Sequence, residues 1–241
     1  MPTVKEHYQN VLSDVYAWMF GGFDSGIQKY VEFFKTHQVS PVGSGVAIDL
    51  GAGCGFQSIP LAMAGFTVTA IDIDKKLLGE LERNSAGLPI TIVRDDLIDF
   101  KNHVKNNAEL IVCMTDTLIH LDSEDKVTQL FKNVINSLEK CGRFIITFRD
   151  LSFELSDLDR FMPIRSDDNT VFTCFVEYEP ETVKVYDLVY KKTDGNWFLN
   201  KSYYRKLRLS KEWVEEQLAS AGFSTVELTV DKGFVTVIAT K

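Results

Sequence analysis

Three glycines at alternate positions follow one short apolar run. The segment reads Val46-Ala47-Ile48-Asp49-Leu50-Gly51-Ala52-Gly53-Cys54-Gly55 and turns helical from Phe56. Glycine lets a chain turn tightly after a strand and lets a ligand lie against bare backbone. The unpaired N–H groups opening the next helix favour a negative group. These residues are suited to a small molecule carrying a carboxylate or phosphate. About twenty residues on, the apolar Thr67–Ile71 ends in Asp72-Ile73-Asp74. A carboxylate there can accept two hydrogen bonds from a ribose diol. Asp72 closes the apolar run and takes that role. Ile73 lies against a purine face, and Asp74 caps the next helix. Together these features predict a nucleoside site.

The glycine spacing selects among nucleosides. A dinucleotide site uses G-x-G-x-x-G. Gly51 and Gly53 fit it, but Phe56 takes the third place and Gly55 comes one residue early. The order acid-x-Gly-x-Gly-x-Gly from Asp49 instead resembles the first motif of class I S-adenosylmethionine-dependent methyltransferases. That resemblance implies S-adenosylmethionine as cofactor, S-adenosylhomocysteine as product, and in-line SN2 transfer of the methyl group. It assigns Asp49, Gly51, Ala52, Gly53 and Gly55 to the cofactor turn. It also implies that an acid after the third strand reads the adenine amine while the next N–H reads a ring nitrogen. Asp96 and Leu97 take those roles, with Asp95 the alternative acid. A ribose acid is shared with NAD enzymes, so Asp72 alone does not choose the cofactor.

After a fourth strand, Leu110–Cys113, comes Met114-Thr115-Asp116-Thr117-Leu118-Ile119-His120-Leu121. A short polar loop ending in His-Leu resembles the small-molecule enzymes related to glycine N-methyltransferase. Met114 either faces the cofactor's methionine portion or belongs to the core. His120 is either a helix-entry residue or a general base, for which an unperturbed pKa near 6.5 is suitable. Arg149, Arg160 and Arg165 follow the fifth strand. An arginine there can clamp a substrate carboxylate with two hydrogen bonds. Arg149 is the first of them and joins His120 as a candidate catalytic residue. No His, Cys and carboxylate spacing predicts a metal.

The elements that must position these residues are legible from periodicity. Four strands alternate with helical stretches, and Gly142–Phe148 makes a fifth. Lys75–Asn84 and Glu124–Leu138 are amphipathic, as is the helix from Lys211 that Ser210 caps. Val226–Val230 and Phe234–Ile238 form a closing hairpin around Asp231-Lys232-Gly233. This order predicts an α/β fold: a Rossmann-like seven-stranded mostly parallel sheet with flanking helices, plus a small antiparallel β insertion after the fifth strand. Within the insertion, 171–178, 182–190 and 198–209 read as three strands, and Asp194-Gly195 is a hairpin turn.

Residues 1–45 read as N-terminal helices that either close over the cofactor or pack on the sheet. Tyr8, Leu12, Val15, Tyr16 and Met19 recur at helical spacing in one continuous helix ended by Gly21-Gly22, and Tyr16 is the expected direct contact. A second helix spans 25–37. Residues 46–148 form the cofactor core, 149–209 the insertion that covers substrate or forms a dimer contact, and 210–241 the completing helix and hairpin.

Composition narrows the function. The chain has 241 residues and a formal net charge of −8, which disfavours nucleic acid. Its four cysteines are scattered and read as reduced thiols. With no apolar leader and no spanning segment, the expected location is the cytoplasm, away from membranes. The favoured acceptor is a small molecule, an amine or a carboxylate-bearing metabolite. A homodimer is left open. A protein or nucleic-acid methyltransferase and a non-catalytic cofactor-binding protein remain as alternatives.

Overall fold

The computed structural model describes residues 3–241. One sheet has seven strands in the order β10-β11-β5-β4-β1-β2-β3. They are β1 (Val46–Leu50), β2 (Thr67–Asp72), β3 (Ile90–Arg94), β4 (Ala108–Cys113), β5 (Leu138–Arg149), β10 (Thr225–Asp231) and β11 (Phe234–Thr240). Parallel pairing joins β1 to β2 and β4, β2 to β3, and β4 to β5. Only β11 runs against its neighbours, pairing antiparallel with both β5 and β10. Helices cover both faces, as a parallel sheet requires. On one side α6 (Glu124–Ser137) and α7 (Lys211–Ala221) bury Val127, Phe131, Val214 and Leu218. On the other, α3 (Phe23–Thr36), α4 (Ser58–Met63) and α5 (Lys75–Asn84) bury Phe34, Leu61 and Leu81. Among the described residues no helix is long and apolar enough to cross a membrane.

The helix starts follow their caps. The Asp74 side chain accepts from the Lys76 and Leu77 N–H groups, and Ser123 and Ser210 do the same for α6 and α7. Gly222 ends α7 in the left-handed conformation, φ 105°. Each ties a local sequence signal to an end of a helix that packs on the sheet.

The insertion is a second sheet of order β6-β7-β8-β9, four strands where three were expected. Strands β7 (Thr170–Tyr178), β8 (Thr182–Thr193) and β9 (Asn196–Leu207) match the expected segments closely. Asp194 and Gly195, φ 51° and 79°, make their turn. The added strand β6 (Phe161–Ser166) contains Pro163 and a register shift before Arg165. Proline argues against a central strand but is tolerated at an edge or bulge, which is where β6 lies.

The N-terminal segment departs most from expectation. The predicted single helix is broken into α1 (Val4–His7), a π-helical turn (Tyr8–Leu12) and α2 (Tyr16–Met19), with Val15 at φ −125° between them. The reason is that its apolar face has two partners. Val11, Leu12 and Val15 bury against the inward face of the second sheet, with Val183 and Val185. Tyr8 and Tyr16 also pack against the core of the first sheet. A straight helix would not serve both surfaces.

Candidate active site

A cavity of about 420 Å³ opens at the carboxyl ends of β1 and β2, the usual ligand position in an open α/β sheet. Of the residues singled out in the sequence, Tyr16, Gly51, Gly53, Asp72, Ile73, Asp96, Leu97 and His120 line it. Asp49, Ala52, Gly55, Met114 and Arg149 do not. Asp49 is buried beneath the turn, where the Ser58 hydroxyl donates to its Oδ2 at 2.6 Å. Burial pushes its carboxyl up to about 7. Met114 is 2% exposed and packs in the core, the second of the two readings open to it.

The glycines divide by purpose. A Cβ on Gly51 would fall 2.3 Å from Thr117 Cγ2, and one on Gly55 2.3 Å from Leu81 Cδ1, so these two permit close packing inside the protein. Gly53 differs: its φ is +52°, and a Cβ there would meet nothing nearer than Leu77 Cδ1 at 3.8 Å. The space over it belongs to the cavity, which leaves its backbone open to a ligand.

Asp72 joins the two turns beside Gly53. Its Oδ2 accepts from Gly53 N at 2.8 Å and its Oδ1 from Asp74 N at 2.7 Å. An ionised carboxylate offers about four acceptor positions, so two remain for a diol. Burial raises its pKa to about 6, against the backbone hydrogen bonds that favour the ion. At the far end, Asp95 is occupied: Oδ2 lies 2.6 Å from His103 Nε2, and Oδ1 accepts from Asp96 N. Asp96 commits only Oδ1, to Ile98 N at 2.9 Å. Asp74 Oδ2 is buried without a partner among the described residues. The lining fits a nucleoside: acids to accept from hydroxyls and an amine, apolar Ile73 and Leu97 for the base.

The opposite wall contains residues that sequence reasoning missed. Lys206, on β9, lines the cavity 2.5 Å from Asp116 Oδ2. Asp116 Oδ1 accepts from Arg149 N at 3.1 Å, and the Arg149 guanidinium lies 3.6 Å from Oδ2. Burial alone would raise the Asp116 carboxyl, but the Lys206 and Arg149 charges hold it down to about 2. Nothing in Tyr204-Arg205-Lys206-Leu207 distinguishes a buried lysine from ordinary strand alternation. His120 stacks on Tyr204, ring centroids 5.3 Å apart, with Nε2 3.5 Å from the Tyr8 hydroxyl and Nδ1 without a partner among the described residues. Burial, and then the Lys206 charge, lower it to about 3. The ordinary histidine pKa expected from sequence does not apply here, and His120 is neutral near pH 7. Thr115, beside this wall, is a β-branched residue at φ +64°. Such backbone strain persists only where the surroundings hold it. Tyr30 and Gln57 side chains and the Thr147 hydroxyl all hydrogen-bond to Thr115.

A family model described as a methyltransferase domain matches residues 47–142, the stretch that carries the glycine turn, Asp72 and Asp96. "Putative methyltransferase YqeM" of Bacillus subtilis (strain 168) is 24% identical over 84% of this chain and 83% of its own. Glycine/sarcosine N-methyltransferase of Aphanothece halophytica is 22% identical over 63% of this chain and 59% of its own. The structure of KedS8, a sugar N-methyltransferase from Streptoalloteichus sp. ATCC 53650, superposes with a TM-score of 0.73 at 12% identity, covering 95% of this chain and 92% of that one. That likeness shows the fold. The domain match takes in the glycine turn and the acids that line the cavity, so residues 47–142 are a methyltransferase domain, and the fold of the whole chain is that of the S-adenosylmethionine-dependent methyltransferases.

Proposed function

We propose that the protein methylates a small molecule at an amine nitrogen, with an acceptor carboxylate as a further recognition group. The supporting observation is which elements border the cavity. Thr3, Lys5 and Tyr8 of the N-terminal segment and Thr182 and Lys206 of the second sheet border it opposite the glycine turn. In this arrangement the insertion covers substrate and the N-terminal segment acts as a lid. A cavity of about 420 Å³ bordered on these sides suits a metabolite better than a folded protein or a duplex. An amine acceptor also agrees with the likeness in fold to KedS8, a sugar N-methyltransferase.

Bound S-adenosylmethionine supplies a methyl group already activated by its sulfonium. The chain's own residues then bind and align. Asp72 accepts from the ribose hydroxyls, Asp96 and the Leu97 N–H read adenine, and Gly53 admits the methionine portion against its backbone. Tyr16 closes over it. Alignment in a near-attack geometry can supply roughly 7–11 kcal/mol of barrier reduction. The acidity of His120 favours nitrogen over oxygen. A hydroxyl acceptor needs a base, and a histidine held near 3 is a weak one. A neutral amine brings its own lone pair, and His120 serves as a hydrogen-bonding partner. Arg149, at the end of β5, lies outside the cavity and holds Asp116 beside Lys206, the basic side chain that does line it.

The pH dependence of cofactor binding follows from Asp72. Its carboxylate form accepts from the diol, and protonation removes the charge and turns one acceptor oxygen into a donor. With its pKa raised by burial to about 6, affinity is expected to be level above pH ~7. Below pH ~6 it should fall about tenfold per unit. Titration of S-adenosylhomocysteine from pH 5 to 8 checks this; a flat profile removes Asp72 from the ribose. The function itself is tested by calorimetry with S-adenosylmethionine, S-adenosylhomocysteine and NAD, then a methyl-transfer screen of amines, amino sugars and amino acids. Binding of both sulfur nucleosides, and turnover on an amine, is expected. Turnover only on hydroxyl acceptors would overturn the nitrogen assignment.

A further inference from the structure

His7 is fully buried, at 0% exposure, although α1 has only four residues. So short a helix cannot hold itself in place. Its Nε2 lies 2.8 Å from Asp187 Oδ2, and its ring packs on Tyr204 with centroids 4.2 Å apart. Asp187 occupies the inward row of β8, otherwise Val183, Val185 and Val189. The Cys174 thiol donates to its other oxygen at 2.7 Å. A carboxylate set in an apolar row is a costly way to stabilise a sheet, and an apolar residue of similar size would commonly serve as well or better. The pair has a geometric consequence instead. Thr3, Val4, Lys5 and Tyr8, on either side of His7, border the cofactor cavity, and Tyr8 reaches His120.

We propose that His7 and Asp187 form a positioning latch that clamps the N-terminal segment to the second sheet, sets Tyr8 against His120, and must release for cofactor exchange. The proposal rests on the cofactor reading for its last clause only. π-helical turns such as Tyr8–Leu12 recur at functional sites, and this one follows the latch directly.

The test compares wild type with His7→Gln, Asp187→Asn and the double variant. Release of S-adenosylhomocysteine is followed by stopped-flow displacement, and amide exchange is measured without ligand. Each single variant is expected to speed release about tenfold and to raise exchange in residues 4–12, leaving β1 and β4 unchanged. The double variant should be no worse than either single one, because both remove the same contact. His7→Gln keeps the Asp187–Cys174 contact intact, so the test stands if Asp187→Asn fails to fold. Unchanged release from folded variants would overturn the latch, as would exchange rising equally in the core strands. If the wild type binds no sulfur nucleoside, the cofactor reading fails, and exchange in residues 4–12 still decides whether the pair holds the segment.

Discussion

Asp116→Ala is expected to destabilise the protein by about 3–5 kcal/mol, the usual effect of removing one partner of a buried ion pair. The loss comes from what remains. Lys206 is about as buried as Asp116, with side-chain exposures of 10% and 9%, and would lose the carboxylate beside it. Arg149 adds less, since its side chain is 53% exposed and screened by water. Urea unfolding of Asp116→Ala, Lys206→Met and the double variant checks this. The double variant should recover most of the stability, because it removes the orphaned charge as well. A single-variant cost under about 1 kcal/mol would mean that water reaches Lys206 freely. The pH sign follows from a depressed pKa. The pair's contribution is complete above the ordinary aspartate value near 3.9. It is lost as pH falls through about 2.

Asp72→Ala should weaken S-adenosylmethionine binding by about 1.5–3 kcal/mol, roughly ten- to a hundredfold, as expected for hydrogen bonds to a charged group. The variant removes the ribose acceptor and also frees Gly53 N and Asp74 N, which Asp72 holds at 2.8 and 2.7 Å. Asp72→Asn separates the two effects. Its amide oxygen can keep one backbone bond but lacks the charge. If affinity falls in Ala and not in Asn, Asp72 acts by shaping the turn. If a folded Ala variant binds normally, the ribose assignment is wrong.

The residues that made the fold legible carry local signals. Lys75–Asn84 is a helix in sequence and structure because Asp74 caps it and one face is apolar. The glycine turn and Asp72 are likewise short-range features, and they meet at one cavity because parallel strands end on the same side. What escaped is long-range. Lys206 and Asp116 are 90 residues apart, and His7 and Asp187 are 180 apart. No local pattern marks a strand lysine or aspartate for burial. Pro163 hid β6 because proline is barred from central strands, a rule that does not bind an edge strand. The helical spacing from Tyr8 to Met19 was real, but it could not reveal that two different surfaces would claim it.

The clasp between His7 and Asp187 also has a consequence in time. During synthesis His7 leaves the ribosome long before its partner exists. At roughly 5–20 residues per second, a separation of 180 positions takes on the order of 10–35 s. The glycine turn and the nucleoside acids are all made in that interval, under a roof that cannot yet be fastened. A nascent chain halted before β8 would therefore carry the cofactor-facing half of the cavity while holding nucleoside poorly, and ligand retention would report the arrival of the second sheet.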